Sequence, residues 1–197
     1  MKGVVFTELF DLVESAHGYE MLDRVIEKCE LENQGGYTSV GTYSCSELVK
    51  IVSALSEELQ TPIPDLVRMF GGHLFGRFFE RHSDHLNQFE SAFDLLLAVE
   101  DIIHVEVRKL WPNAELPTFE YPEIGPNRLM MNYQSTRPFA DLCEGLIVAC
   151  IEHYGESIEV VREDKCPQGT AAVFTLTKLP QTNAEADNFE ATADGPS

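Results

Sequence analysis

The 197-residue chain lacks the features that define several large classes of protein. It has no apolar run long enough to cross a bilayer, and its first residues carry no signal-peptide core or small-residue cleavage site. Basic residues are scarce, with 14 Lys and Arg against 33 Asp and Glu, so the net charge is −19. A field of that sign repels nucleic acid and anionic membrane surfaces. The composition therefore predicts a cytoplasmic protein without a nucleic-acid or membrane partner.

Cysteines are few and scattered, which argues against a disulfide scaffold and favours a reducing compartment. The five are Cys29, Cys45, Cys143, Cys150 and Cys166. Three of them, Cys143, Cys150 and Cys166, could join His153 as zinc ligands, although no CxxC spacing supports a metal site. We favour small core residues at Cys143 and Cys150. A thiol redox sensor or a zinc-linked sensor that uses these three cysteines stays open as an alternative.

The chain does have a clear change of hydrophobic period. Apolar residues recur at helical spacing over 2–16, 19–29, 65–79 and the segment that follows a Ser44–Glu47 capping box. From residue 119 the period is two, with predicted strands at 119–124, 128–135, 157–163 and 171–177 around a helix at 138–154. This order predicts an α+β fold with an N-terminal helical lobe (about 1–65) and a second lobe (about 66–180). The second lobe would contain a four-stranded antiparallel sheet and helices, and residues 181–197 would form a disordered acidic tail.

The predicted helix at 65–79 contains Gly71, Gly72 and Gly76. Each glycine inside a helix costs about 1 kcal/mol relative to alanine. Glycine occurs at such positions where another group approaches the backbone closely. Two explanations fit equally well: a tight crossing of two helices, or one wall of a cofactor pocket.

One histidine lies within the apolar helical pattern of residues 95–111. His104 has Glu100 and Arg108 four residues away on either side, so one flank of its helix face is charged. A histidine in that setting is more often a solvated helix residue than a ligand. The sequence downstream changes this interpretation.

Tyr133, Ser135 and Arg137 form a Tyr-x-Ser-x-Arg triplet about thirty residues after His104. On a strand these three side chains would share a face, and together they could bind carboxylates, with bidentate contacts from the arginine. A haem has two propionate carboxylates and needs an axial nitrogen, which a neutral imidazole supplies. The triplet alone is a weak signal, because chance matches are common.

Several short motifs occur together with the triplet in one order along the chain. They are Met1-Lys2-Gly3, the Asp-Ile-Ile-His-Val-Glu-Val segment around His104, Leu116-Pro117, and Glu144-Gly145-Leu146. With them, the chain resembles the haem-nitric oxide/oxygen binding (H-NOX) family, whose members include the sensor domain of soluble guanylate cyclase, and within it the bacterial stand-alone type. The resemblance implies one haem-binding domain over residues 1–180, with haem b between the two lobes. It also implies His104 as the proximal iron ligand, Tyr133, Ser135 and Arg137 on the propionates, and Pro117 against the macrocycle.

The same resemblance indicates which gases bind. Family members that hold oxygen place a tyrosine five residues after the arginine of the triplet, where this chain has Leu142. The other expected distal positions, Leu9 and Leu74, are also apolar. Oxygen needs a hydrogen-bond donor in the pocket, whereas nitric oxide and carbon monoxide do not. We therefore expect exclusion of oxygen, with His73 and Tyr154 as the polar groups that the sequence alone leaves near the pocket.

The expected function is a nitric oxide sensor without enzymatic activity. No kinase, cyclase or DNA-binding segment is recognisable in the chain, so the signal would pass to a partner, and the resemblance implies a histidine kinase or a cyclic-di-GMP enzyme. Breakage of the bond between His104 and iron would shift the two lobes. Besides the thiol alternative, a module that binds an apolar ligand without haem stays open.

Overall fold

A computed structural model describes residues 1–180, and the predicted acidic tail lies outside them. The helices are α1 Gly3–His17, α2 Tyr19–Cys29, α3 Cys45–Leu59, α4 Ile63–Arg81, α5 Ser83–Leu86, α6 Ala92–Ala98, α7 His104–Leu110 and α8 Ala140–His153. A π turn, Val99–Ile103, joins α6 to α7. The strands are β1 Thr118–Ile124, β2 Arg128–Gln134, β3 Ile158–Asp164 and β4 Ala171–Lys178. Within residues 1–180, no helix is both long and apolar enough to cross a membrane.

The start of α3 shows how far local sequence rules apply. Ser44 caps the helix as expected, but its hydroxyl accepts from the backbone N–H of Ser46 at 3.2 Å. The predicted return arm of the capping box is wrong, because the carboxylate of Glu47 accepts from the Tyr37 hydroxyl at 3.0 Å. A tertiary partner has thus replaced the local one.

The four strands form one antiparallel sheet in the order β1-β2-β4-β3, which confirms the predicted fold class. Met131 pairs with Phe174 and Leu129 with Leu176, and these four side chains are at most 1% exposed. Alternation along β2 and β4 places them on one face, which packs against α8 and α6 as the core of the second lobe. The other core lies among α1, α2, α3 and α4.

Helices α4 and α8 cross very closely, and glycine makes this possible. A Cβ on Gly71 would lie 2.4 Å from the carbonyl oxygen of Leu142, and a Cβ on Gly145 would lie 2.1 Å from that of Arg68. Of the two explanations for the glycines in α4, the tight helix crossing is therefore the one that holds at Gly71. The crossing brings Leu142 of α8 against α4.

Helix α4 contributes to both cores. Its Phe70 and Leu74 are buried in the core of the helical lobe, whereas Phe75 and Phe79 pack against the core of the sheet lobe. Helix α4 therefore lies between the two cores, where the cavity is expected. The boundary at about residue 65 and the domain limits stay predictions.

Candidate functional site

His104 begins α7 directly after the π turn, and it is 8% exposed. A π turn inserts an extra residue into a helix, so the side chains after it point in a different direction from those of a regular helix. Such turns are frequent at functional sites. The sequence predicted a helix here, which is confirmed, but it gave no sign of the π turn.

The imidazole of His104 has one well-defined polar partner. Its Nδ1 lies 3.1 Å from Oε2 of Glu100, one helical turn earlier. An ionised carboxylate only accepts hydrogen bonds, so Nδ1 carries the proton and the lone pair of the neutral ring is on Nε2. Among residues 1–180, only Nδ1 of this ring takes part in a hydrogen bond. The arrangement leaves Nε2 as a nitrogen able to bind a metal.

Burial favours the neutral form of this ring. Removal from water lowers the pKa of His104, and this effect outweighs the opposing influence of the Glu100 carboxylate. A neutral imidazole is the form that binds iron. The position is thus unlike that of a solvated helix histidine.

Strand β1 contacts the His104 segment at two points. The backbone N–H of Phe119 donates to the same Oε2 of Glu100 at 3.2 Å. Two residues on, the hydroxyl of Tyr121 donates to the carbonyl oxygen of Leu96 at 2.7 Å. The Phe119 ring also lies 5.9 Å from the imidazole, centre to centre. The orientation of His104 therefore depends on the sheet as well as on its own helix.

The Tyr-x-Ser-x-Arg triplet begins on β2 but does not continue along it. Tyr133 is 3% exposed and lies on the inner face of β2 with Met131. The strand ends at Gln134, and Ser135 and Arg137 follow in a turn in which the Ser135 hydroxyl accepts from the backbone N–H of Arg137 at 3.1 Å. The prediction that strand alternation places all three side chains on one face is therefore wrong, because Arg137 lies beyond the strand. The three residues still follow closely on one another at the end of β2.

The charged end of this triplet has a carboxylate partner. The guanidinium of Arg137 forms an ion pair with the Glu115 side chain and donates to the Glu115 carbonyl oxygen at 3.1 Å. Glu115 is two residues before Pro117, which is half-buried and immediately precedes β1. Arg137 and Pro117 therefore lie at the same end of the sheet lobe.

Three leucines expected on the distal side belong to one apolar cluster. Leu9 of α1 and Leu74 of α4 are 4% and 2% exposed, and Leu142 of α8 packs against the same cluster. Of the two polar groups left open, His73 turns toward α1, where its Nε2 lies 3.4 Å from Oε2 of Glu8. Tyr154 follows the far end of α8, about 18 Å along that helix from Leu142.

Comparison with known proteins gives the family. The family model described as Haem-NO-binding matches residues 2–162. The chain belongs to the H-NOX family. A search of curated proteins found no match.

Solved H-NOX structures are similar over most of the chain. An H-NOX protein from K. algicida, as an unliganded Fe(II) A71G mutant, is 38% identical with a TM-score of 0.88, covering 92% of this chain and 98% of the other. The IWP-051-bound H-NOX from Shewanella woodyi, in the Fe(II)CO state, is 41% identical with a TM-score of 0.80, covering 98% and 100%. An S. oneidensis H-NOX protein in the Fe(II)NO state is 28% identical with a TM-score of 0.82, covering 91% and 100%. H-NOX domains are sensor domains and are not catalytic. They are also haem-binding, so the cofactor of this chain is haem.

The residues of this H-NOX domain fit a haem. A buried neutral imidazole with its lone pair on Nε2 suits an iron ligand, and a guanidinium beside a hydroxyl suits carboxylates. Burial raises the pKa of Tyr133 to about 12, so its phenol stays protonated and can donate. Leu9, Leu74 and Leu142, the residues expected on the distal side, are all apolar, which suits a porphyrin face.

The cysteines are not gathered into a comparable site. Within residues 1–180 there is no group of three or more His, Cys, Asp or Glu side chains placed to hold a metal ion. Burial raises the pKa of Cys143, and that of Cys150 to about 12, which disfavours reactive thiolates. The Cys166 thiol is 3.0 Å from the Thr170 hydroxyl, and this hydrogen bond is the main cause that lowers its pKa.

Sequence analysis missed the role of Glu100. The residue was noted only as part of a charged flank, which supported a solvated helix face. The available signal was its spacing, because a carboxylate four residues before a histidine can reach Nδ1 on a helix. Phe119 and Tyr121 had no such signal, since their contacts with the helix exist only after β1 has packed.

Proposed function

We propose that this H-NOX domain is a haem-based nitric oxide sensor that excludes oxygen and binds its iron through Nε2 of His104. The observation that carries the proposal is the hydrogen bond from His104 Nδ1 to Glu100, because it leaves the lone pair on the other ring nitrogen. The haem supplies the reversible gas-binding iron. The protein supplies the axial ligand, the anchoring groups and a dry cavity.

The propionates would bind at the turn after β2. Arg137 provides a bidentate donor, Ser135 a hydroxyl, and Tyr133 a phenol that burial keeps protonated. The present partner of Arg137, the Glu115 carboxylate, is 68% exposed at its side chain. A propionate can take its place with little loss, since the displaced carboxylate returns to water. Pro117, two residues after Glu115, is the side chain proposed to press on the macrocycle.

The distal leucines support the choice of gas. Leu9, Leu74 and Leu142 offer no hydrogen-bond donor, and oxygen requires one for stable binding. His73, the nearest polar neighbour of Leu74 in sequence, is directed to the buried carboxylate of Glu8. Nitric oxide and carbon monoxide bind without a donor, so both are proposed ligands.

The signal would arise on the proximal side. We propose that nitric oxide weakens the bond to His104 until the imidazole is released, which frees α7 and the π turn to move against β1. The domain itself would catalyse nothing, and a histidine kinase or a cyclic-di-GMP enzyme in the cytoplasm would detect the movement. Such a switch needs only two arrangements of one packed element whose populations the ligand changes.

Absorption spectra of the purified ferrous protein test this proposal. In air-saturated buffer the spectrum should stay that of unligated ferrous haem apart from slow oxidation, since the distal pocket has no donor. Nitric oxide should give a five-coordinate complex that has lost His104, whereas carbon monoxide should give a six-coordinate one. A stable ferrous–oxygen spectrum would contradict the proposal.

A further inference from the structure

The carboxylate of Glu100 bonds two different elements with one oxygen. Its Oε2 lies 3.1 Å from Nδ1 of His104 on the helix and 3.2 Å from the backbone nitrogen of Phe119 on β1. The π turn that contains Glu100 places this side chain between the helix and the strand. No other hydrogen bond described in residues 1–180 joins the imidazole to the sheet.

The charge of this carboxylate is only partly compensated. Its nearest cation is Arg108, whose Nη2 lies 3.5 Å from the other oxygen, Oε1, and whose side chain is 41% exposed. Solvent therefore screens much of the attraction between Arg108 and Glu100. The oxygen that faces His104 has two N–H donors and no cation, so its negative charge acts directly on Nδ1–H.

A carboxylate that accepts from a metal-bound imidazole fixes the ring and makes the opposite nitrogen more basic. We propose that Glu100 is the positioning residue that sets the strength of the bond from His104 to the haem iron, and thereby how readily nitric oxide releases the ring. This inference rests on the proposed function. Through Phe119, the same carboxylate transmits any displacement of the imidazole to β1.

Two substitutions separate the charge of Glu100 from its hydrogen bonds. Glu100→Gln keeps an acceptor oxygen of nearly the same shape but removes the charge, whereas Glu100→Ala removes both. Glu106→Gln is the matched control. Glu106 lies on α7, its side chain is 56% exposed, and it forms an ion pair with Lys109. All three variants lose one negative charge near the same helix.

Resonance Raman spectra of the ferrous proteins give the decisive measurement. The iron–histidine stretching frequency should shift downward in Glu100→Gln and further in Glu100→Ala, and it should stay unchanged in Glu106→Gln. At a subsaturating nitric oxide concentration, the fraction converted to the five-coordinate form should rise in the same order. An unchanged frequency in both Glu100 variants would overturn the inference while leaving the proposed function intact.

The connection to β1 has its own readout. In the diamagnetic carbon monoxide complex, the Phe119 amide proton resonance should move in Glu100→Ala and keep its position in Glu106→Gln. A Phe119 resonance that is the same in all variants would overturn the proposed link to the strand. If no iron–histidine band appears even in the unmodified protein, then the proposed function fails first, so the two failures are distinguishable.

Discussion

Two glutamates, the buried Glu8 and the half-buried Glu100, lie in different parts of the molecule, and their surroundings differ. Glu8 of α1 is 0% exposed and faces three side chains of α4: Arg77 at 3.0 Å, His73 at 3.4 Å, and Arg81. Glu100 faces a neutral imidazole and a backbone N–H, with its one cation at 3.5 Å. Glu8 thus has its charge fully matched, whereas Glu100 does not.

The difference indicates what each carboxylate does. A fully matched buried charge fixes the packing of two helices, and its removal affects mainly stability. An incompletely matched charge beside a metal ligand affects the properties of that ligand. Substitutions around Glu8 should therefore change the free energy of unfolding with little effect on haem binding, and substitutions around His104 should do the reverse.

The largest expected effect is the loss of haem in His104→Ala. No other imidazole among residues 1–180 lies at the junction of the π turn and β1, so the purified variant should lack most of the Soret absorption. Added imidazole should restore part of it. His85→Ala is the control, because His85 is exposed on α5. A full and unchanged Soret band in His104→Ala would show that another residue binds the iron.

The second expected effect is on stability. Glu8→Gln removes the charge-assisted hydrogen bond from Arg77 and the ion pair with Arg81, which should lower the free energy of unfolding by about 2–3 kcal/mol. Haem content should stay close to that of the unmodified protein. Urea denaturation followed by circular dichroism measures the change, with Glu80→Gln as control, since Glu80 pairs with Arg77 at a 70% exposed side chain. A loss of haem without a loss of stability in Glu8→Gln would contradict the conclusion that Glu8 affects mainly stability.

The pH dependence of stability tests whether the Glu8 carboxylate is ionised in the folded protein. Burial alone would raise its pKa, but the adjoining Arg77 and Arg81 outweigh burial and lower it below the ordinary value of 4.5. The contribution of the ionised carboxylate is therefore complete above pH 4.5 and is lost as the pH falls through the lowered pKa. The stability difference between the unmodified protein and Glu8→Gln should shrink below pH 4.5. A constant difference down to pH 3 would contradict the assigned charge state.

The smallest effect should come from the propionate anchors. Arg137→Ala removes a charge-assisted donor whose hydrogen bonds are typically worth about 1.5–3 kcal/mol, whereas Ser135→Ala removes one neutral bond. Haem retention during dialysis against apomyoglobin should fall more in Arg137→Ala than in Ser135→Ala. Equal retention in the two variants would argue against propionate binding at this turn.

Much of the fold was predictable from local patterns. The four strands, the helix between the second and third of them and the helix that contains His104 all follow from apolar periodicity, because each element presents one face to a core. The triplet that begins on β2 was recognisable, but the prediction that all three of its residues continue the strand was wrong. A strand ends where its partner stops pairing, and that depends on β4 rather than on the residues of β2.

The sequence by itself determined the elements, the apolar character of Leu9, Leu74 and Leu142, and the presence of a histidine and an arginine suited to haem. The i, i+4 spacing of Glu100 and His104 made a hydrogen bond possible, but the folded structure decided that it forms to Nδ1, since the π turn between them sets where the two side chains point. It also decided that Gly71 and Gly145 meet at a helix crossing and that Phe119 shares a carboxylate with His104. Contacts between residues distant along the chain have no local pattern, because they exist only once separate elements have packed together.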